Sequence, residues 1–147
     1  NKDVEFVSLE KLLTESDFVS LHAALTPATR GMIGEAQLRQ MKRTAYLVNT
    51  GRGALLDETA LVRALNEHWI AGAALDVFTT EPLPADSALR SAPNLLLSPH
   101  QSSYARDTGE RVSLAAAQTI VDLMHGTKPR NILNPDVFTS PTFRARR

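Results

Sequence analysis

Short apolar runs alternate along this chain with longer stretches in which apolar residues recur at helical spacing. The runs at 17–23, 45–49, 71–78 and 95–97 predict β-strands, and the shorter segment 5–7 is a weaker strand candidate. The stretches between them predict helices after Ser8 and Asp57, which are suitable N-caps, and over 34–42 and 107–125. The side chains expected to face inward are Leu9, Leu12, Leu13, Ala36, Leu38, Met41, Leu61, Val62 and Leu65, with Val112, Ala115, Ala116, Ile120, Val121 and Leu123 in the last helix.

The order of these elements predicts the fold class. Strands that alternate with helices form right-handed crossovers, which give a parallel sheet with helices on both faces. The run 71–78 is apolar at nearly every position, as in a strand that is buried on both sides. We therefore predict an α/β fold, a partial Rossmann-like parallel sheet with flanking helices. Gly126 is expected to end the last helix, and residues 128–141 to form an extended tail.

Length and composition exclude several classes of protein. The 147 residues suffice for one domain and one core rather than for a two-domain enzyme. Sixteen basic residues balance sixteen acidic ones, so no net charge would attract nucleic acid or an anionic membrane. The absence of cysteine excludes disulfides and thiolate chemistry and fits a cytoplasmic protein. No apolar run approaches the roughly 20 residues of a membrane span, and no histidine–acid spacing is typical of a metal site.

Polar residues gather where the predicted strands end. They are His22 at the end of the first main run, residues 49–52 at the end of the second, Asp76 within the third and residues 98–100 at the end of the fourth. Ligands of open parallel sheets bind beyond the carboxyl ends of the strands. Each residue alone has an ordinary explanation as a loop residue, but their recurrence at four successive strands predicts a shared site.

Three side chains in these loops have complementary chemistry. Arg52 lies between two glycines, and its planar guanidinium suits a carboxylate ligand; a turn arginine paired with a surface acid is the alternative. His100 could exchange a proton near neutral pH, or merely cap its strand. Glu81 could fold back and orient the His100 imidazole, or be an ordinary loop acid.

A fourth polar residue, Asp76, lies inside an apolar run. It is either a satisfied buried acid or, as its place at the strand end favours, a ligand contact.

The ordered set of these segments resembles the D-isomer-specific 2-hydroxyacid dehydrogenase family, and within it glyoxylate/hydroxypyruvate reductases and phosphoglycerate dehydrogenases. The matching segments are LHAALTPATRGMI at 21–33, LVNTGRG at 47–53 with Asp57 and Glu58, AALDVF at 73–78 with EPL at 81–83, and SPH at 98–100. Together they extend over most of residues 4–135. The pattern departs from the family's at Ala24, where proline is usual, and at 101–104, where glycine is usual.

The resemblance implies an oxidoreductase that transfers a hydride between a nicotinamide cofactor, NAD or NADP, and a small 2-oxo or D-2-hydroxy acid. It implies that Arg52 binds the substrate carboxylate, that His100 exchanges the proton and that Glu81 orients His100. The cofactor contacts that it implies are Ala23, Thr29, Thr50, Gly51, Arg52, Asp76, His100, Ser102 and Ser103. It also implies a homodimer for the full-length protein.

The sequence does not contain the Gly-x-Gly-x-x-Gly loop of dinucleotide sites or the acidic residue that selects NAD over NADP. By resemblance, residues 1–106 are expected to be the C-terminal portion of the cofactor domain. Residues 107–147 are expected to be a return helix and tail that pack towards the substrate domain. The chain alone is therefore expected to be inactive and to bind NAD(H) weakly. The alternatives are a dinucleotide-sensing co-repressor and a catalytically inert interaction module.

Overall fold

The computed structural model describes residues 4–141 and 143. The chain divides into two compact units, one that ends at Ser102 and one that begins at Ser103. Of the portion expected to form a return helix and tail, 107–147, residues 142 and 144–147 lie outside the described residues. No helix in the described part is long and apolar enough to cross a bilayer.

The first unit is built around a four-stranded parallel sheet. Its elements are α1 (Leu9–Glu15), β1 (Phe18–Leu21), α2 (Glu35–Gln40), β2 (Tyr46–Asn49), α3 (Glu58–Asn66), β3 (Gly72–Leu75) and β4 (Leu95–Leu97). The strands lie in the order β1-β2-β3-β4, and all three neighbouring pairs are parallel. The predicted α/β class and parallel sheet are confirmed.

The first three strands are shorter than their apolar runs, whereas β4 matches its run. The run 71–78 contributes only four residues to β3, because the chain leaves the sheet at Asp76 while Val77 and Phe78 remain buried in the loop. The expected strand at 5–7 is wrong. Among the described residues no neighbouring strand pairs with it, Phe6 is 98% exposed, and Glu5 pairs with Lys11 at 3.0 Å.

Helices cover one face of the sheet. Leu13, Leu38 and Leu61, one from each helix, are fully buried in a single cluster with alternate strand residues, a burial that stabilises by roughly 2 kcal/mol per side chain. On the opposite face the rings of Phe18 and Tyr46 stack at 5.6 Å and are exposed. The expectation of helices on both faces is thus met on one face only within the described first unit, and Ala36, expected inward, is exposed.

The predicted caps are confirmed. The Ser8 hydroxyl accepts the Lys11 N–H at 3.2 Å, and the Asp57 carboxylate accepts the Ala60 N–H at 3.0 Å. Two short 3₁₀ turns that the sequence pattern did not predict, Gly53–Leu55 and Ala88–Ser91, lie in the loops after β2 and before β4.

The second unit contains α4 (Arg106–Met124), which ends as predicted before Gly126, whose φ is +69°. The apolar stripe expected to face inward is largely exposed, with Val112 at 64% and Ile120 at 59%. The tail is not extended throughout, since Pro135–Thr139 forms a 3₁₀ turn. Proline at the first helical position favours such a turn, because its fixed φ is already helical.

Candidate active site

The four parallel strands place the loops that follow them along one edge of the sheet. These loops carry the predicted site residues. Ala23 and Thr29 follow β1, Thr50, Gly51 and Arg52 follow β2, Asp76 and Glu81 follow β3, and His100 and Ser102 follow β4.

Glu81 and His100 form a hydrogen-bonded pair. The Nδ1 atom of His100 lies 2.7 Å from Oε2 of Glu81, and since an ionised carboxylate only accepts, Nδ1 carries the donated proton. The second carboxylate oxygen of Glu81 accepts the Phe78 N–H at 2.9 Å. The hydrogen bond from His100, followed by that from Phe78, holds the pKa of Glu81 below its usual range. The imidazole is therefore oriented by Glu81, and its Nε2 has no partner among the described residues.

Asp76 holds the loop that carries His100. Its carboxylate is 3% exposed and accepts hydrogen bonds from the Ser98 hydroxyl, the Gln101 N–H at 2.8 Å and the Ser102 N–H at 2.9 Å. Burial raises the pKa of Asp76, but the hydrogen bonds from Ser98, Ser102 and Gln101 outweigh it and hold the pKa below its usual range. Asp76 thus has the contacts of a satisfied buried acid, the simpler of the two alternatives; a contact with cofactor stays a prediction.

The backbone of His100 also depends on Asp76. His100 has a φ of +55°, in the left-handed region that non-glycine residues rarely adopt, and its N–H donates to the Asp76 carbonyl oxygen at 2.8 Å. Such a conformation persists only where its surroundings fix it. Asp76 therefore fixes the chain at His100 and at the two residues that follow it.

Arg52 projects from a tightly packed turn. Asn49, a fully buried residue, accepts the Gly51 N–H at 3.1 Å and donates to the Arg52 carbonyl oxygen at 3.0 Å. A Cβ on Gly51 would lie 2.9 Å from the Leu21 carbonyl oxygen, and one on Gly53 would lie 1.9 Å from the Phe78 carbonyl carbon. Both glycines are therefore required, because the turn touches two other backbones.

The Arg52 side chain is exposed and has no carboxylate within ion-pair distance in the part of the chain that the structure describes. Among the described residues, the guanidinium donates a single hydrogen bond, to the carbonyl oxygen of Gly51 at 2.8 Å. The alternative of a turn arginine paired with a surface acid therefore does not describe it. Its positive charge contributes to the lowered pKa of Glu81, after the two hydrogen bonds and the charge of His100.

The remaining predicted site residues differ in their hydrogen bonding, packing and exposure. The Thr29 hydroxyl donates to the Ala24 carbonyl oxygen at 2.7 Å and accepts the Thr26 N–H at 2.8 Å, so it holds its own loop. Ala23 packs against the core. Thr50 is exposed, and its hydroxyl has no partner among the described residues. Ser103 belongs to the second unit, where it is exposed.

Asn49 is the residue whose structural role the sequence pattern did not reveal. The sequence pattern indicates only that Asn49 belongs to a polar strand end. In the structure its side chain fixes the turn that carries Arg52. The available signal was an amide at a core-facing position of a strand, two residues after the buried Leu47. Buried amides persist only where they are fully hydrogen-bonded.

A cavity of about 570 Å³ lies beside the Glu81–His100 pair. Its wall is mostly apolar, with Phe78, Leu83 and Leu97 next to Pro82 and Pro99. Small-molecule sites commonly combine such a wall with a few convergent polar groups. Within the described residues no cluster of three or more histidine or acidic side chains could hold a metal ion.

Comparison with known proteins gives one family. A family model described as "D-isomer specific 2-hydroxyacid dehydrogenase, NAD binding domain" matches residues 1–102. A protein named glyoxylate reductase from Korarchaeum cryptofilum is 52% identical over 134 residues, which are 91% of this chain and 40% of that protein.

Solved structures agree with this match. The TT0316 protein from Thermus thermophilus superposes with a TM-score of 0.83 at 44% identity, over 89% of this chain and 42% of that one. A D-isomer specific 2-hydroxyacid dehydrogenase from Xanthobacter autotrophicus Py2, crystallised with NADPH and MES, superposes with a TM-score of 0.70 at 36% identity, over 84% and 50% of the two chains. The chain thus spans between two fifths and one half of the length of these three proteins.

Proposed function

The chain belongs to the D-isomer specific 2-hydroxyacid dehydrogenase family, and on that premise we propose that the full-length protein reduces a small 2-oxo acid to the corresponding D-2-hydroxy acid. The observation that carries the proposal is the oriented Glu81–His100 pair at the same edge of the sheet as Arg52, which has no ion pair among the described residues. Glyoxylate is the first candidate substrate, because the Korarchaeum relative is named a glyoxylate reductase, and hydroxypyruvate is the second.

NAD(H) or NADP(H) is the proposed cofactor, and its reduced nicotinamide would supply the hydride. The exposed edge of the sheet fits the nicotinamide end of such a molecule, since Thr50 presents an unpartnered hydroxyl beside the half-buried Gly51. The residues proposed to hold it are Ala23, Thr29, Thr50, Gly51, Arg52, Asp76, His100, Ser102 and Ser103. For Asp76 the contribution includes the placement of the Ser102 N–H, which it binds directly.

Arg52 is proposed to bind the carboxylate of the substrate and to polarise its 2-oxo group. Two parallel N–H donors of a guanidinium match the two oxygens of a carboxylate. The guanidinium has no competing ion pair in the described part of the chain, so binding a substrate breaks none. The same positive charge favours the negative charge that develops on the carbonyl oxygen during reduction.

His100 is proposed to exchange the proton. In reduction its Nε2–H gives a proton to the alkoxide oxygen that forms at C2 of the substrate, and in oxidation Nε2 removes it. Glu81 keeps Nε2 directed outward by binding Nδ1–H.

We further propose that the full-length protein is a homodimer and that the 147-residue chain alone is inactive. The sequence of the chain has no glycine-rich loop for the cofactor pyrophosphate, which is normally held at a helix N-terminus. Light scattering on the full-length protein would test the dimer.

The proposed activity is tested with the full-length protein, NADH or NADPH, and a panel of 2-oxo acids. Nicotinamide absorbance is expected to fall with glyoxylate or hydroxypyruvate. It should not fall with the matching methyl esters, since these lack the carboxylate that Arg52 would bind. The proposal is contradicted if no 2-oxo acid oxidises either cofactor, or if the esters react as fast as the acids.

A further inference from the structure

Two consecutive peptide units of the loop after β3 are each held by a carboxylate. The Phe78 N–H donates to Oε1 of Glu81 at 2.9 Å, and the next N–H, that of Thr79, donates to Oε1 of Glu58 at 2.6 Å. Glu81 belongs to the same loop, whereas Glu58 lies 21 residues earlier in the sequence. The contact with Glu58 is thus a tertiary link between the N-terminus of α3 and the loop after β3.

Glu58 is the first residue of α3 and is half-buried. An acid at this position is favoured by the helix dipole, which explains its presence but not its partner. The helix is already capped by Asp57, and no ion pair engages Glu58 among the described residues. Its carboxylate is therefore committed to the Thr79 N–H.

The same segment touches that peptide a second time. Gly53 packs so closely that a Cβ would lie 1.9 Å from the Phe78 carbonyl carbon and 2.4 Å from the Thr79 nitrogen. Segment 53–58 thus fixes the Phe78–Thr79 peptide by close packing at one end and by a hydrogen bond at the other. Arg52 precedes this segment directly, and Glu81 binds the preceding peptide unit through the Phe78 N–H.

We propose that Glu58 is a positioning residue, one that sets the place of the Glu81–His100 pair relative to Arg52; this inference rests on the function proposed above. Without the Glu58 carboxylate the Thr79 N–H loses its acceptor, and the loop 78–81 can shift together with Glu81. His100 is oriented by Glu81, so its Nε2 moves away from a substrate that Arg52 still binds. Misplacement of a reacting group by about 1 Å is enough to lower the rate on the order of 10²-fold.

The test compares three variants of the full-length protein. In Glu58→Ala we expect kcat to fall between about 10-fold and 10²-fold, with little change in KM because Arg52 is untouched. In Glu58→Gln the amide oxygen can still accept the Thr79 N–H, so most of kcat should return. The matched control is Glu35→Ala. Glu35 is the first residue of α2, and the substitution removes its carboxylate and the ion pairs with Arg39 and Arg63. It should lower stability and leave kcat unchanged.

Amide hydrogen exchange supplies a readout that does not depend on turnover. Exchange at Phe78 and Thr79 should accelerate in Glu58→Ala and not in Glu35→Ala. The inference is overturned if Glu58→Ala keeps both the wild-type kcat and the wild-type exchange, or if Glu35→Ala lowers kcat equally. A wild-type protein that is inactive towards every 2-oxo acid would overturn the proposed function as well, whereas an active wild type with an unaffected Glu58→Ala variant overturns the role of Glu58 alone.

Discussion

The Nδ1 atom of His100 lies 2.7 Å from the Oε2 atom of Glu81, across 19 residues of sequence. The Phe78 N–H holds the other oxygen of the same carboxylate. Glu81 therefore has little freedom to rotate, and the imidazole that it binds keeps Nε2 directed away from it. The pair has the geometry expected of a proton donor with a fixed orientation.

Glu81→Gln should lower kcat of the full-length protein by about 10²-fold, because an amide can turn its NH₂ group towards Nδ1 and no longer fixes the imidazole that exchanges the proton. KM for the 2-oxo acid should change little, since Arg52 is retained. Steady-state kinetics check both values. Glu67→Gln is a matched control, because Glu67 also binds a ring N–H, that of Trp69 at 3.0 Å, and lies in the turn after α3. A Glu81→Gln variant as fast as the control would contradict the role of Glu81.

The lowered pKa of Glu81 predicts a pH dependence of stability. A carboxyl whose pKa is depressed by folding stabilises the native state above its unfolded pKa, about 4.3 for glutamate, and this contribution is lost as the pH falls through the lower native pKa. The free energy of unfolding of the wild type should therefore exceed that of Glu81→Gln by a constant amount from pH 7 to about pH 5. The difference should then shrink on further acidification. Urea unfolding at a series of pH values measures it, and a difference that grows towards low pH would contradict the assignment.

Gly53→Ala should destabilise the protein and impair turnover together. The added Cβ would meet the Phe78 backbone at 1.9 Å, so the loop that carries Glu81 must move. Overpacking of this kind costs about 1–3 kcal/mol. Gly109→Ala is the control, since a Cβ there meets nothing within 4 Å, and in the helical interior alanine should stabilise by about 0.5–1 kcal/mol. Thermal unfolding and kcat of both variants check this, and a Gly53→Ala variant equal to the wild type would show that the close contact has no consequence.

Features that depend on neighbouring residues could be predicted from the sequence. Ser8 and Asp57 cap their helices, and Gly126 ends the last one, because a cap needs only a side chain and the backbone a few residues away. The segment 5–7 shows the limit. Its apolar residues suit a strand, but strand formation needs a hydrogen-bonding neighbour, which no described residue provides.

In the candidate site, too, some features could be predicted from the sequence and others could not. Arg52, Glu81 and His100 could be singled out because unusual residue types stood at strand ends. The contacts that hold them could not, since Asp76 binds residues 22 to 26 positions away, and Glu58 binds a backbone N–H that has no sequence signature. Such contacts exist only once the parallel sheet brings its loops together.

The central claim is that Arg52 and His100 act on one 2-oxo acid, and it is tested by turnover of the full-length protein with glyoxylate. Arg52→Ala and His100→Ala should each lower kcat/KM by at least about 10²-fold. Arg43→Ala and His68→Ala, which change exposed residues in the loops that precede β2 and β3, should leave it unchanged. Turnover that survives both Arg52→Ala and His100→Ala at the wild-type rate would contradict the account.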